Sequence, residues 1–240
     1  MIGSPAASAE RFWEVVGFRE PFPRSLEAVV ALALPVSIIR LPRLTPVTVV
    51  SWLRAAGVEW QLQVQSRPLR GCLIAHKGHG LIFVDGALPP PEVRVTIGHE
   101  VAHFLQHYVW RREAAIAHFG DSILPVLDGD RPATPLERLS GVFQGVELGP
   151  CTHLLDRGPG GVPREEVVRA EDEADLLAFE LLAPASTVLG ASRSRKRRRE
   201  LLETEYGLPP WAAELWARHL EARKPGTGVM SQLRKAAQKS

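Results

Sequence analysis

The chain has 240 residues, of which 45% are apolar and 23% charged, with 29 Lys and Arg against 27 Asp and Glu. This is the composition of an ordinary soluble globular protein, long enough to bury a substantial core without staples. The charge balance gives no reason to expect a nucleic-acid partner overall, and the two cysteines, Cys72 and Cys151, lie too far apart in sequence to form a C-x-x-C zinc pair.

Met1 to Glu10 has no basic stretch followed by an apolar core, so no secretory signal is expected. The apolar run Ala28 to Ile39 is too short to span a bilayer and contains Pro35, so a cytoplasmic protein without a membrane partner is expected. Residues 1–44 are punctuated by Pro21, Pro23, Pro35 and Pro42. Two short helices fit there, over Ala9–Val16 and Ser25–Ala33, followed by a strand or extended connector at Leu34–Ile39. The segment reads as a packing extension. Thr45-Pro46 is a helix start, and Val49, Val50, Leu53 and Ala56 supply one stripe that Gly57 ends. Val58–Val64 alternates with the period of a strand. Gly71–Ala75 and Leu81–Val84 flank the loop His76-Lys77-Gly78-His79-Gly80, which predicts a hairpin whose histidines face solvent.

Pro89-Pro90-Pro91 then leads into Thr96-Ile97-Gly98-His99-Glu100-Val101-Ala102-His103-Phe104-Leu105. Residues four apart share a helix face, so His99 and His103 point two imidazoles at one metal ion. Glu100 sits beside them, placed to take a proton from water that the ion activates. Ile97, Val101, Phe104, Leu105 and Tyr108 form a second face, expected to be buried.

Residues 110–166 read as an irregular excursion rich in Gly and Pro, with short helices at Arg111–Phe119 and Pro135–Phe143. A stretch this long between two site-bearing helices suits a lid or substrate-binding excursion. His107, His118 and His153 lie in it or beside it. Arg164 to Pro184 is a helix with an apolar face of Ala170, Ala174, Leu177, Ala178, Leu181 and Leu182. The basic run Arg193–Arg199 follows, then helices through Leu201–Tyr206 and Pro210–Ala222, and a basic tail at 224–240.

Glu171 and Asp175 are again four apart. A zinc site built on H-E-x-x-H needs a third protein ligand, which a carboxylate supplies, and an open fourth position. A second carboxylate one turn on can receive the outer N–H of a ligand histidine and fix its tautomer. Glu171-x-x-x-Asp175 has the types and spacing for both, and resembles the E-x-x-x-D of thermolysin-like (gluzincin) peptidases. With Thr96–Leu105 and Glu171–Pro184 together, the chain resembles the ImmA/IrrE family of bacterial zinc peptidases, whose members show T-I-A-H-E-x-x-H and later E-x-x-A-(N/D)-x-F-A-x-x-L-L-x-P. The Arg70-Gly71 strand, the hairpin, Leu88-Pro89 and Leu201–Leu220 add to a likeness over roughly residues 45–222. Gly98 stands where the family usually has Ala, Leu177 where it usually has Phe, and the excursion between the motifs is longer than usual.

The expected architecture is α+β: a thermolysin-like zincin core at 45–190, with a small antiparallel sheet, two site-bearing helices and the excursion at 110–166, then a helical segment at 191–223. The expected chemistry is a zinc metalloendopeptidase. His99, His103 and Glu171 hold one Zn²⁺, Glu100 is the general base and Asp175 orients a ligand histidine. His153 and Tyr108 are the candidates for a transition-state donor, and His107 for lining the cleft one turn deeper. The resemblance implies a protein substrate, typically a helix-turn-helix repressor whose cleavage switches on stress or mobile-element genes. Two rival readings stand beside it. One is a DNA-binding regulator using Arg193–Arg199; the other is a protein-binding sensor with a structural metal.

Overall fold

Proline and glycine punctuation cuts the chain into short elements, and the sheet gathers four of them. The computed structural model describes residues 3–60, 66–139, 148–156 and 165–222. Helix α1 (Pro5–Val16) opens on Ser4, whose hydroxyl accepts the Ala7 N–H, and buries Phe12 and Trp13. Helix α2 (Leu26–Ala33) leads into strand β1 (Val36–Leu41). Helix α3 (Pro46–Ala55) is held by a reciprocal Thr45/Thr48 capping box. Strands β2 (Leu69–His76) and β3 (His79–Asp85) form the expected hairpin. Its two-residue turn places Lys77 at φ 49° and Gly78 at φ 83°, the twist that matches the flanking strands. Of the expected strand at Val58–Val64, residues 58–60 are irregular and the rest lies outside the described residues.

The sheet order is β1-β3-β2-β4, with β4 at Cys151–Asp156. Strands β2 and β4 run antiparallel to their neighbours, but β1 pairs with β3 in parallel, Val36 opposite Gly80 through Leu41 opposite Asp85. The expectation of an antiparallel sheet is therefore corrected: the sheet is mixed, because residues 1–44 contribute a strand of it. The excursion holds both expected short helices, α5 (Trp110–Phe119) and, over its described residues, α7 (Pro135–Leu139), and adds the short helix α6 (Leu124–Leu127) and strand β4. Residues 140–143 of the helix expected there are outside the described residues.

Both faces of the sheet are covered. Leu73, Ala75, Ile82 and Val84 point into a core shared with helix α4 (Pro90–His103) and helix α8 (Glu165–Leu182). The alternate residues Cys72, Ile74 and Phe83 pack with Leu44, Val49 and Leu53 beneath α3. This is why β2 reads as a nearly unbroken apolar run. Helix α8 lies along α4 and α1 lies along α8. A Cβ at Gly98 would stand 3.2 Å from Leu182 Cδ1 and 3.4 Å from Ala178 Cβ, so the small residue lets α4 and α8 approach closely.

Helix α9 (Ala185–Ala191) leads to the antiparallel-packed pair α10 (Arg195–Thr204) and α11 (Pro210–Ala222). The buried Trp216 of α11 donates its Nε1–H to Ala183 O at 2.9 Å, tying this pair to the end of α8. Most of the basic run, Arg195–Arg199, opens α10, with Ser194 as its cap and Arg193 before it. Arg195 pairs with Glu214, Arg197 with Glu200 and Arg199 with Glu203, while Arg198 is fully buried. Among the described residues no single helix is long and apolar enough to cross a membrane. The bent pair Val167–Leu182 and Ala185–Ala191, at 58°, meets that length and composition only together.

Candidate metal centre

Helix α4 starts on three prolines and carries its chemistry in its last two turns, where almost every side chain is buried. His99, Glu100 and His103 are 3%, 0% and 4% exposed, so their polar atoms must be satisfied by the protein or by a bound group. Ile97, Val101, Phe104, Leu105 and Tyr108 are buried on the other side as expected.

Helix α8 brings Glu171 and Asp175 against that face. His99 Nδ1 lies 2.8 Å from Asp175 Oδ1, and His99 Nε2 lies 3.2 Å from Glu171 Oε2. His103 Nε2 is 3.1 Å from His99 Nε2 and 3.6 Å from Glu171 Oε1. Strand β4 delivers His153 to the same place. Its Nδ1 is 2.9 Å from Glu100 Oε2, its Nε2 is 2.9 Å from Glu171 Oε1, and its ring stacks on His103 at 3.7 Å. One donor atom from each of His99, His103, His153 and Glu171 lies within 4.8 Å of the others, and this group can hold a metal ion.

The spacing fits a tetrahedral ion. Ligand bonds of about 2.0–2.1 Å imply donor–donor edges of about 3.4 Å. His99 Nε2 lies 3.1 Å from His103 Nε2 and 3.2 Å from Glu171 Oε2, close to that value, and His103 Nε2 lies 3.6 Å from the other Glu171 oxygen, Oε1. Asp175 holds the His99 proton on Nδ1, so that in the neutral ring a metal would need, the lone pair lies on His99 Nε2, the nitrogen that faces His103 and Glu171.

The charges respond to this crowding. Burial pulls the His99 imidazolium down, but the Asp175 and Glu171 carboxylates outweigh it and hold it up at about 9. For His153 burial is likewise outweighed, by Glu100 and Glu171, and its pKa rises to about 10. Burial and the neighbouring His153 push His103 well below the usual imidazole range. Burial would raise Glu171, but bonds to His103, His153 and His99 drive it far below the usual carboxylate range. Protons thus sit among three carboxylates, Glu100, Glu171 and Asp175, where a dication would replace them.

The sequence-expected residues divide as follows. His99, His103, Glu171, Asp175, Glu100 and His153 converge. His107 joins behind His103, Nδ1 to Nδ1 at 2.9 Å. Tyr108 does not. Its hydroxyl accepts the Gly78 N–H at 2.8 Å and its ring stacks on Phe104. His76 contacts Asp128 O and His79 contacts Lys77 O, both away from the centre, and His118 packs on Phe119. Both cysteines are buried thiols.

One residue at the site escaped the sequence reading. An ideal Cβ on Gly71 of β2 would stand 2.5 Å from Glu100 Oε1 and 2.8 Å from Thr96 Cγ2, so a bare backbone is what admits the Glu100 carboxylate. The available signal was a glycine inside a strand, which marks a close approach. No protein-family model matches the chain, and no curated protein matches it.

Proposed function

We propose that the protein is a zinc-dependent endopeptidase with a thermolysin-like core. The observation that carries this reading is the tetrahedral spacing of His99, His103 and Glu171 on two helices, with the carboxylate of Glu100 buried beside them. Two imidazoles and a carboxylate are a donor set that suits zinc. When bound, the ion supplies Lewis acidity towards the scissile carbonyl and towards water. Glu100 removes the proton from the attacking water and returns it to the leaving amine. Its Oε2 is held by His153, while its buried Oε1 has no hydrogen-bond partner among the described residues. Asp175 holds the His99 ring, and an imidazolium at His153 offers N–H donors to negative charge developing on the carbonyl oxygen. The substrate follows from the likeness to the ImmA/IrrE family alone: an intracellular protein, with a helix-turn-helix repressor as the first to test.

One observation favours a second reading. His153 can act as a fourth donor, and a closed three-histidine, one-glutamate set would be a structural metal in a binding module. The DNA-binding alternative is weakened by the ion pairs that engage Arg195, Arg197 and Arg199.

Purified protein is expected to carry about one zinc per chain and to cleave an unstructured protein substrate. The variant H99A/H103A/E171A is expected to lose both the metal, by elemental analysis, and the cleavage. Equal zinc in the triple variant would end this reading.

A further inference from the structure

The two ligand histidines have different outer partners. His99 Nδ1 faces a carboxylate, Asp175 Oδ1 at 2.8 Å. His103 Nδ1 faces another imidazole, His107 Nδ1 at 2.9 Å. Two ring nitrogens this close share one proton, so one of them donates and the other must accept. The centre lies at the middle of a line running from Asp175 through His99 and His103 to His107, with the His99 and His103 Nε2 atoms 3.1 Å apart at its heart. Without an ion, the charged His99 ring carries an Nε2–H that lies between His103 Nε2 and Glu171 Oε2. With an ion between them, both Nε2 atoms must be bare, and His103 must carry its proton on Nδ1, where His107 is the acceptor.

The backbone puts His107 in that place. Directly after His103 the helix widens into a π-helical segment, Phe104–Val109. His107, four positions on, lies against His103 with ring centroids 4.9 Å apart. The segment is pinned on its other side, where Tyr108 is buried with its hydroxyl on the hairpin turn. Wide turns of this kind recur at functional sites.

We propose that His107 is a positioning residue: it accepts the Nδ1 proton of His103 and so keeps His103 Nε2 free as a metal donor. The proposal rests on the metal-site reading above. It also sets an order. A neutral imidazole strengthens the ring it holds less than a carboxylate does, so the His103 side of the site depends on its outer partner less than the His99 side.

The test is zinc affinity by competition with a chelating dye, on the full chain, for the wild type, H107L, H107N and D175N. Loss of an outer partner weakens metal binding by roughly 10–100-fold. H107L is expected near the lower end of that range and D175N nearer the upper end. H107N, whose amide oxygen can accept the same proton, is expected to regain most of the affinity. In ¹⁵N spectra of the zinc-loaded wild type, His103 is expected protonated at Nδ1 and His107 at Nε2. Equal affinity of H107L and wild type, or a proton on His107 Nδ1 in the loaded protein, would overturn the proposal. Should H107L not fold, H107N and the spectra decide alone. A wild type that takes up no zinc would instead remove the metal-site reading, and this proposal with it.

Discussion

Glu100→Gln is expected to leave zinc content and thermal stability near wild type while turnover falls about 100-fold or more, the scale of removing a positioned acid–base group. The substitution keeps the size of a side chain that is 0% exposed, so no cavity opens and no packing changes. It leaves a carbonyl oxygen to accept from His153 Nδ1, which is 2.9 Å from Glu100 Oε2. It does not touch His99, His103 or Glu171. What it removes is the capacity to take a proton from water at neutral pH, since an amide is not a base there. A binding module with a closed metal site has no use for that capacity, and in it the same change would be silent. Elemental analysis, a thermal melt and a cleavage rate measured on one preparation therefore separate the two readings. A glutamine variant that cleaves at the wild-type rate would refute the peptidase assignment.

Gly71→Ala is expected to impair both stability and activity, and to do so through the same carboxylate. The added methyl would stand 2.5 Å from Glu100 Oε1, 3.1 Å from Glu100 Cγ and 2.8 Å from Thr96 Cγ2. Neither neighbour has room to yield, because Thr96 and Glu100 are 2% and 0% exposed and lie on a helix wedged between the sheet and α8. Overpacking of this kind costs about 1–3 kcal/mol, and each kcal/mol lowers the melting temperature of a domain this size by about 2–4 °C. The alternative to lifting α4 is to turn the carboxylate away from its place, which removes the base without removing its charge. Turnover is then expected to fall towards that of Glu100→Gln, with a lowered melting temperature that the glutamine variant lacks. An alanine variant equal to wild type in both measurements would show that β2 does not shape the site.

What could be read from the sequence was local. His99, Glu100 and His103 are one helical turn, as are Glu171 and Asp175, and the periodicity of each helix fixed which face they shared. The cap at Thr45-Pro46 and the turn at Lys77-Gly78 were legible for the same reason: the residues that make them are neighbours in the chain. Long-range partners were not legible. Cys-Thr-His-Leu-Leu-Asp at 151–156 lacks the alternation of a half-buried strand, and it becomes β4 only because β2 offers it a free edge. Its pairing sets Leu73 opposite His153, and that register, not the spacing of any motif, carries His153 to the metal ligands. The basic run at 193–199 is mostly exposed, and its pairing with Glu214 was not legible because Glu214 sits on the next helix. The π-helical turn at Phe104–Val109, and the contact of Tyr108 with the hairpin turn, were not legible either, since nothing in those residues announces the widening.

The parallel pairing of β1 with β3 bears on how the chain reaches this state. The hairpin of β2 and β3 closes over a turn of two residues, but β3 finds its other neighbour some forty positions upstream, across α3. Local hairpins form early and crossover pairings late, since the intervening chain must first give up its freedom. Until β1 docks, the backbone of Gly80 to Asp85 presents an unpaired row of donors and acceptors flanked by Ile82, Phe83 and Val84, a surface that invites a strand from another molecule. Residues 1–44 are therefore expected to shield this edge by supplying β1. A version trimmed to Thr45, although it keeps every metal ligand, would be expected to collect in the insoluble fraction.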